Sequence, residues 1–223
     1  MANYKDIQGF PIQNLSSDPV PYAQELANNP YAGVWSSGGN MNTARESLAG
    51  NGTQTAAFAV AGRNASNTDV TSHEQYDGSS WTEVADLNAG RYNNAGSGIV
   101  TAALTYGGTA GPPVYALTES WNGSAWTEVG DLNTARSILA GAGYGVNTAA
   151  LAAGGEGPPA NMAFVEEWNG SSWTEIADLS TGRGGLGGAG TSTAGLVFGG
   201  EVGPRQQTEE WNGSSITTKV LTD

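Results

Sequence analysis

The sequence of 223 residues predicts an all-β fold assembled from four copies of one four-stranded antiparallel unit. One phrase recurs along the chain: "NTARESLAGNGTQTAAFAVAG" from Asn42, "NAGRYNNAGSGIVTAALTYGG" from Asn88, "NTARSILAGAGYGVNTAALAAGG" from Asn133 and "STGRGGLGGAGTSTAGLVFGG" from Ser180. Its arginines, Arg45, Arg91, Arg136 and Arg183, stand 46, 45 and 47 residues apart. That period is far too long for a coiled coil and right for a four-stranded sheet of the propeller-blade type. Composition agrees, because 34 glycines, 13% charged residues and regularly spaced aromatics describe short strands and tight turns. A helical bundle or an acidic disordered chain has a different makeup.

Each period divides into the same four elements. The first strand is the small-residue run after the arginine, such as "LAGNG" or "LAGAG". The second is apolar and closes on a glycine pair: Gly107-Gly108, Gly154-Gly155, Gly199-Gly200 and the variant Ala61-Gly62. The third ends on Tyr76, Trp121, Trp168 or Trp211. The fourth opens on Trp81, Trp126, Trp173 or, in the last copy, Ile216. Asp77-Gly78, Asn122-Gly123, Asn169-Gly170 and Asn212-Gly213 join the third and fourth strands, and these dipeptides tolerate the positive φ of a tight hairpin. Three of these turns also read as glycosylation sequons, but the turn geometry already accounts for them.

Charge and composition narrow the function. A net charge of -13 repels nucleic-acid phosphates and anionic membranes, so neither is an expected partner. The chain has no cysteine and hence no disulfide framework or thiolate metal site. The opening "MANYKDIQGFPIQNLSSDP" lacks the apolar run of an export signal, and no stretch reaches the roughly 20 apolar residues of a spanning helix. A soluble protein made without export is expected.

The combination of arginine, apolar strand closing in Gly-Gly, aromatic, and Trp about five residues later resembles the kelch repeat over residues 33–223. Ala61 and Ile216 are the departures. The resemblance implies a kelch-like β-propeller, each repeat (about 42–87, 88–132, 133–179 and 180–223) forming one blade. Four repeats favour four blades, and the small residues of the innermost strands suit the crowding near the axis. Trp35 lies ten residues before Arg45, as Trp81, Trp126 and Trp173 lie ten before theirs. It reads as a fourth strand without a blade. Either it docks on the last blade and closes the ring, or the C-terminal "SSITTKVLTD" completes that blade, or the ring closes through oligomerisation. The first is favoured, because Ile216 has lost the Trp that its counterparts keep.

Catalytic residues are not evident. His73 is the one histidine and is expected at a surface or strand end, since a general base needs a nucleophile or orienting partner. No G-x-S-x-G, P-loop or dinucleotide fingerprint occurs. The copper chemistry of some kelch propellers requires a cysteine and histidines that this chain lacks. Glu74, Glu119, Glu166, Glu209, Asp86, Asp131 and Asp178 recur in step with the arginines, so a structural Arg–carboxylate pair at each blade junction is expected ahead of a calcium site. The aromatic pairs read as packing ahead of a sugar platform. No cofactor or metal is expected. Recognition is expected in the unlike loops between second and third strands, with Asn64, Asn67, Pro112, Pro113, Tyr115, Pro158, Pro159, Asn161, Arg205 and Gln206 as candidates.

Residues 1–32 carry none of the repeat and read as an attachment arm with a short helix around Ala23 to Ala27. "ANYKDIQG" followed by "SSDP", together with repeats such as "WNGSAWTEVGDLNTAR", resembles virion structural proteins of marine tailed bacteriophages. That resemblance implies a fibre, tail or capsid-decorating component located in the virion, held to other virion proteins by the arm, with homo-oligomers expected. A propeller that binds host-surface glycan through its loops is the alternative.

Overall fold

The computed structural model describes residues 35–143, 145–158, 160–201 and 205–213. The arm 1–32, including its expected helix, lies outside the described residues, as do Pro159 and the C-terminal residues from 214 onward. Among the described residues there is no helix. Gly38 and the residues after it form one unit, a four-bladed β-propeller.

Two short strands, β1 (Arg45–Glu46) and β4 (Arg63–Asn64), pair beside blade one, which is β2 (Ala49–Thr53), β3 (Ala56–Val60), β5 (His73–Tyr76) and β6 (Trp81–Glu83). Blade two is β7 (Ala95–Ile99), β8 (Ala102–Tyr106), β9 (Thr118–Trp121) and β10 (Trp126–Glu128). Blade three is β11 (Ala140–Ala142), β12 (Ala150–Ala153), β15 (Val165–Trp168) and β16 (Trp173–Glu175), with the ribbon β13 (Glu156–Gly157) and β14 (Ala160–Asn161) above it. Blade four shows three strands among the described residues: β17 (Leu186–Thr191), β18 (Ala194–Gly199) and β19 (Thr208–Trp211). Every pairing is antiparallel, and each hairpin sets an aromatic opposite a Trp: Tyr76 with Trp81, Trp121 with Trp126, Trp168 with Trp173.

The innermost strands β2, β7, β11 and β17 line a narrow axial channel through Gly50, Asn51, Gly96, Gly141 and Gly188. Small residues are required there by contact: a Cβ on Gly188 would stand 2.5 Å from the Gly141 carbonyl oxygen. Blades are joined in chain order by backbone hydrogen bonds. Gly62, Gly108 and Gly155 donate to the carbonyls of Arg91, Arg136 and Arg183 at 2.8, 2.9 and 2.9 Å. A second series runs from Asn93 N–H to the Ser47 carbonyl, Ile138 to Asn93, and Gly185 to Ile138, at 2.8, 2.8 and 2.9 Å. Among the described residues no hydrogen bond crosses from blade four to blade one. Phe198 is 43% exposed on blade four, whereas its counterparts Val60, Tyr106 and Ala153 are buried.

The core consists of three interblade clusters: Phe58 and Val60 against Ala103, Trp121 and Trp126; Leu104 and Tyr106 against Ala150, Trp168 and Trp173; Leu151, Ala153 and Val165 against Val197 and Trp211. Trp35, read from sequence as a ring-closing strand, lies outside every strand and is fully exposed. β19 pairs only with β18 among the described residues.

Candidate functional site

Strand direction fixes which end of the propeller varies. Second strands run toward the repeat arginines, so the loops 61–72, 107–117, 154–164 and 199–207 gather at the arginine end. The Asp-Gly and Asn-Gly turns lie at the other end, where Gly78, Gly123 and Gly170 adopt φ of 99, 95 and 96° and the Asx carboxylate or amide oxygen accepts from the next backbone N–H groups. These Asx-Gly turns are nearly identical from blade to blade, and the second-to-third strand loops are not.

Beneath the loops, each arginine holds its own blade's glutamate. Arg45 Nη1 lies 2.6 Å from Glu74, Arg91 Nη2 3.1 Å from Glu119, Arg136 Nη1 2.5 Å from Glu166 and Arg183 Nη1 2.7 Å from Glu209. The first three pairs are sealed from solvent; Glu209 is 24% exposed. Asn42, Asn88 and Asn133 complete the clamp, each donating backbone and side-chain N–H to the same carboxylate. Burial alone would raise the Glu74 and Glu209 carboxyls, but the donated hydrogen bonds outweigh it and hold both below the ordinary glutamate value. Desolvation pulls the Arg91 guanidinium down. The aspartates take no part in the clamps: Asp131 accepts from Thr118 N–H at 3.0 Å, and Asp86 from the Thr71 hydroxyl.

His73 is not at the surface. It starts β5 fully buried, its Nδ1 accepting from Trp126 Nε1 of blade two at 3.0 Å, its ring edge-on to Trp121 at 4.6 Å. Its Nε2 carries the proton of the neutral ring; the Ala85 backbone lies nearby but outside normal hydrogen-bond geometry. Burial lowers its pKa to about 4. No other copy has a histidine there, so repeat comparison does not reveal this role; the equivalent position in blade two is Thr118, which accepts from Trp173 Nε1 at 2.9 Å.

Two polar hollows open on the loop end. Over blade three, Val114, Ser137, Glu156, Gly157, Pro158 and Asn161 line one, and the Oδ1 of Asn161 is buried with no hydrogen-bond partner among the described residues. Over blade one, Glu46, Arg63, Asn64 and Asn67 line the other. Arg63 is engaged on both sides, donating to Asp69 at 2.8 Å and lying 3.7 Å over the Tyr92 ring of blade two. Of the remaining loop candidates, Pro112, Pro113, Arg205 and Gln206 are exposed, and Tyr115 is half-buried with its N–H donating to the Gly108 carbonyl. They belong to different blades and form no single constellation. Among the described residues no cluster of three or more His, Asp or Glu is arranged to hold a metal ion. No protein-family model matches the chain, and no curated protein is detectably similar to it.

Proposed function

We propose that the chain is a non-enzymatic virion structural protein of the tailed-bacteriophage kind that its sequence resembles, a fibre, tail or capsid-decorating component with kelch-type blades. Residues 1–32 anchor it to the particle, and the propeller projects as a rigid interaction surface. The observation that supports this reading is the division of labour within the blades: recurring Arg–Glu clamps and Asx-Gly turns form the frame, and the second-to-third strand loops at the arginine end differ from blade to blade in length and sequence. His73, the most obvious candidate base, is committed to a buried hydrogen bond with Trp126. Removing residues 1–30 should abolish incorporation into particles; truncated protein that still assembles onto virions would refute the anchoring role.

The second reading, a glycan-binding adhesin, draws on the hollow over blade three. Its Asn161 Oδ1, without a partner among the described residues, together with Glu156 and Ser137 offers acceptors and a donor of the kind that bind sugar hydroxyls. A glycan array probed with the full chain and with Asn161→Ala decides it: binding lost in the variant supports this reading, and no binding by either removes it.

A further inference from the structure

We propose that the open face of blade four docks blade one of a second copy of this chain, so that copies join head to tail through a junction built like the three within the chain.

Within the chain, each junction sets the trailing face of one blade against the leading face of the next. The trailing apolar pairs are Phe58 and Val60, Leu104 and Tyr106, and Leu151 and Ala153, and all six side chains are buried. Blade four carries Leu196 and Phe198 at these positions, and Phe198 is 43% exposed. The leading faces of blades two and three are Ala103, Trp121 and Trp126, and Ala150, Trp168 and Trp173, each 6% exposed or less. Blade one has Ala57, Tyr76 and Trp81 in their places, and all three are only half-buried. The chain does not join these two open faces to each other. A Cβ on Gly96, Gly141 or Gly188 would lie 3.1, 3.2 or 3.1 Å from an alanine Cβ of the preceding blade, whereas the atoms nearest to one on Gly50 belong to its own blade. The inner strand β17 is exposed from Gly188 to Thr191, which leaves room for a further blade beside it.

What the two faces present is complementary. At the first two junctions the outer-strand indole donates to the first residue of the preceding blade's third strand, Trp126 to His73 and Trp173 to Thr118. Blade four starts its third strand on Thr208, an exposed hydroxyl, and the matching donor is Trp81 of blade one. A second polar contact recurs beside the first: Gln75 Nε2 donates to the Val100 carbonyl at 2.6 Å, and Asn147 Nδ2 to the Ser120 hydroxyl at 3.0 Å. The corresponding positions are Glu210 on blade four and Gln54 on blade one, both exposed, a carboxylate acceptor facing an amide donor. The backbone is set for the same joint. Gly200 holds φ of 118°, beside 107, 97 and 112° for Gly62, Gly108 and Gly155, which donate to the next arginine carbonyl. Ser47 holds φ of 54°, as Asn93 and Ile138 hold 55 and 46° where each donates to the preceding blade. Both series continue if Gly200 donates to the Arg45 carbonyl of the second copy and receives beside it, at the Gly185 carbonyl, the N–H of that copy's Ser47. Such a contact is heterologous, each copy docking with one face and receiving with the other. It stands on blade contacts alone, so it and the attachment role of residues 1–32 can fail separately.

The test uses the full chain. Sedimentation over a wide range of concentration should show association, and F198S should weaken it about tenfold or more while the dilute variant still unfolds cooperatively. W81F and T208V should each weaken association about fivefold, and the double variant no further, because the two side chains form one hydrogen bond. The sequence has no cysteine, so single-cysteine variants mark one face at a time. Q54C mixed with E210C and treated with a short bis-maleimide should give a two-chain product by intact mass, and neither variant alone should give it. A chain that stays monomeric overturns the proposal, and so does association that F198S leaves untouched, which would place the contact elsewhere on the chain. A Q54C/E210C double variant that links within one chain at high dilution also overturns it, since blade one of the same chain would then occupy the face.

Discussion

Between blades one and two, and again between two and three, an indole reaches back across the junction to a polar acceptor, His73 or Thr118. Between blades three and four the same wall presents Val165, Leu151 and Ala153. The backbone frame does not change: a glycine N–H meets the next repeat's arginine carbonyl at 2.8 to 2.9 Å in all three cases. The difference teaches that repetition in this ring acts through the frame, and that the side chains filling the junctions vary as matched donor and acceptor pairs.

The clamps under the frame should give the largest effect. Arg136 and Glu166 are both sealed from water, so Arg136→Ala leaves a buried carboxylate without its cation and should cost about 3–5 kcal/mol in urea unfolding. Arg183 holds a glutamate that is 24% exposed, and water can take over part of its role. Arg183→Ala should therefore cost clearly less, and equal costs would show that solvent access at Glu209 does not set the clamp of blade four apart from that of blade three.

Acid should single out the first junction. The His73 pKa falls from 6.5 in a free histidine to about 4 in the folded protein, so between those values the unfolded chain binds the proton and the folded one does not. Stability is full above pH 6.5 and declines as pH falls toward 4, by roughly 3 kcal/mol in all. His73→Thr installs the chemistry of Thr118 and should flatten this slope, even if the variant is less stable at neutral pH. A slope unchanged by the substitution would mean that other groups set the acid response.

Much of the frame was legible because its causes are local. A small-residue strand, a glycine pair at positive φ and an Asx-Gly turn each announce themselves in a few adjacent residues, and their fourfold recurrence placed every hairpin, from Asp77-Gly78 to Asn169-Gly170. What joins the blades was harder to read. The burial of His73 depends on Trp126, 53 positions away, and nothing near either residue announces the contact. For the arginines, spacing offered both Glu and Asp as partners, and only the fold decides: the glutamates stand second in the third strands beside the guanidinium, while Asp131 turns to a backbone N–H. The candidate loops were found as variable segments, but the hollow at Asn161 depends on Val114 and Ser137 from other loops.

The donor and acceptor pairs can be tested one junction at a time. Trp173→Phe keeps the ring contact with Tyr106, 4.8 Å between centroids, but removes the N–H bonded to Thr118. It should cost about 1–2 kcal/mol. Trp81 is half-buried, and its indole N–H has no protein partner among the described residues. Trp81→Phe should therefore be close to neutral in the same thermal unfolding assay. Similar costs for the two would show that indole hydrogen bonding does not distinguish the sealed junctions from the exposed edge of blade one.

The smallest effect belongs to the frame itself. The residue two after each arginine carries a positive φ: Ser47 at 54°, Asn93 at 55°, Ile138 at 46° and Gly185 at 67°. Only the last is a glycine, although all four occupy the same link in the interblade series. A left-handed backbone costs a residue with a Cβ about 1–2 kcal/mol, and glycine avoids this while adding about 0.5–1 kcal/mol of unfolded-state entropy. Ser47 is exposed, so its side chain contributes little to packing, and Ser47→Gly should raise stability by about 0.5 kcal/mol. At the far end of the series, Gly185→Ala should do the opposite and by more, because its Cβ would stand 2.8 Å from the Glu201 side chain. Loss of stability in Ser47→Gly would mean that the serine holds the first blade in a way that its exposed position does not explain.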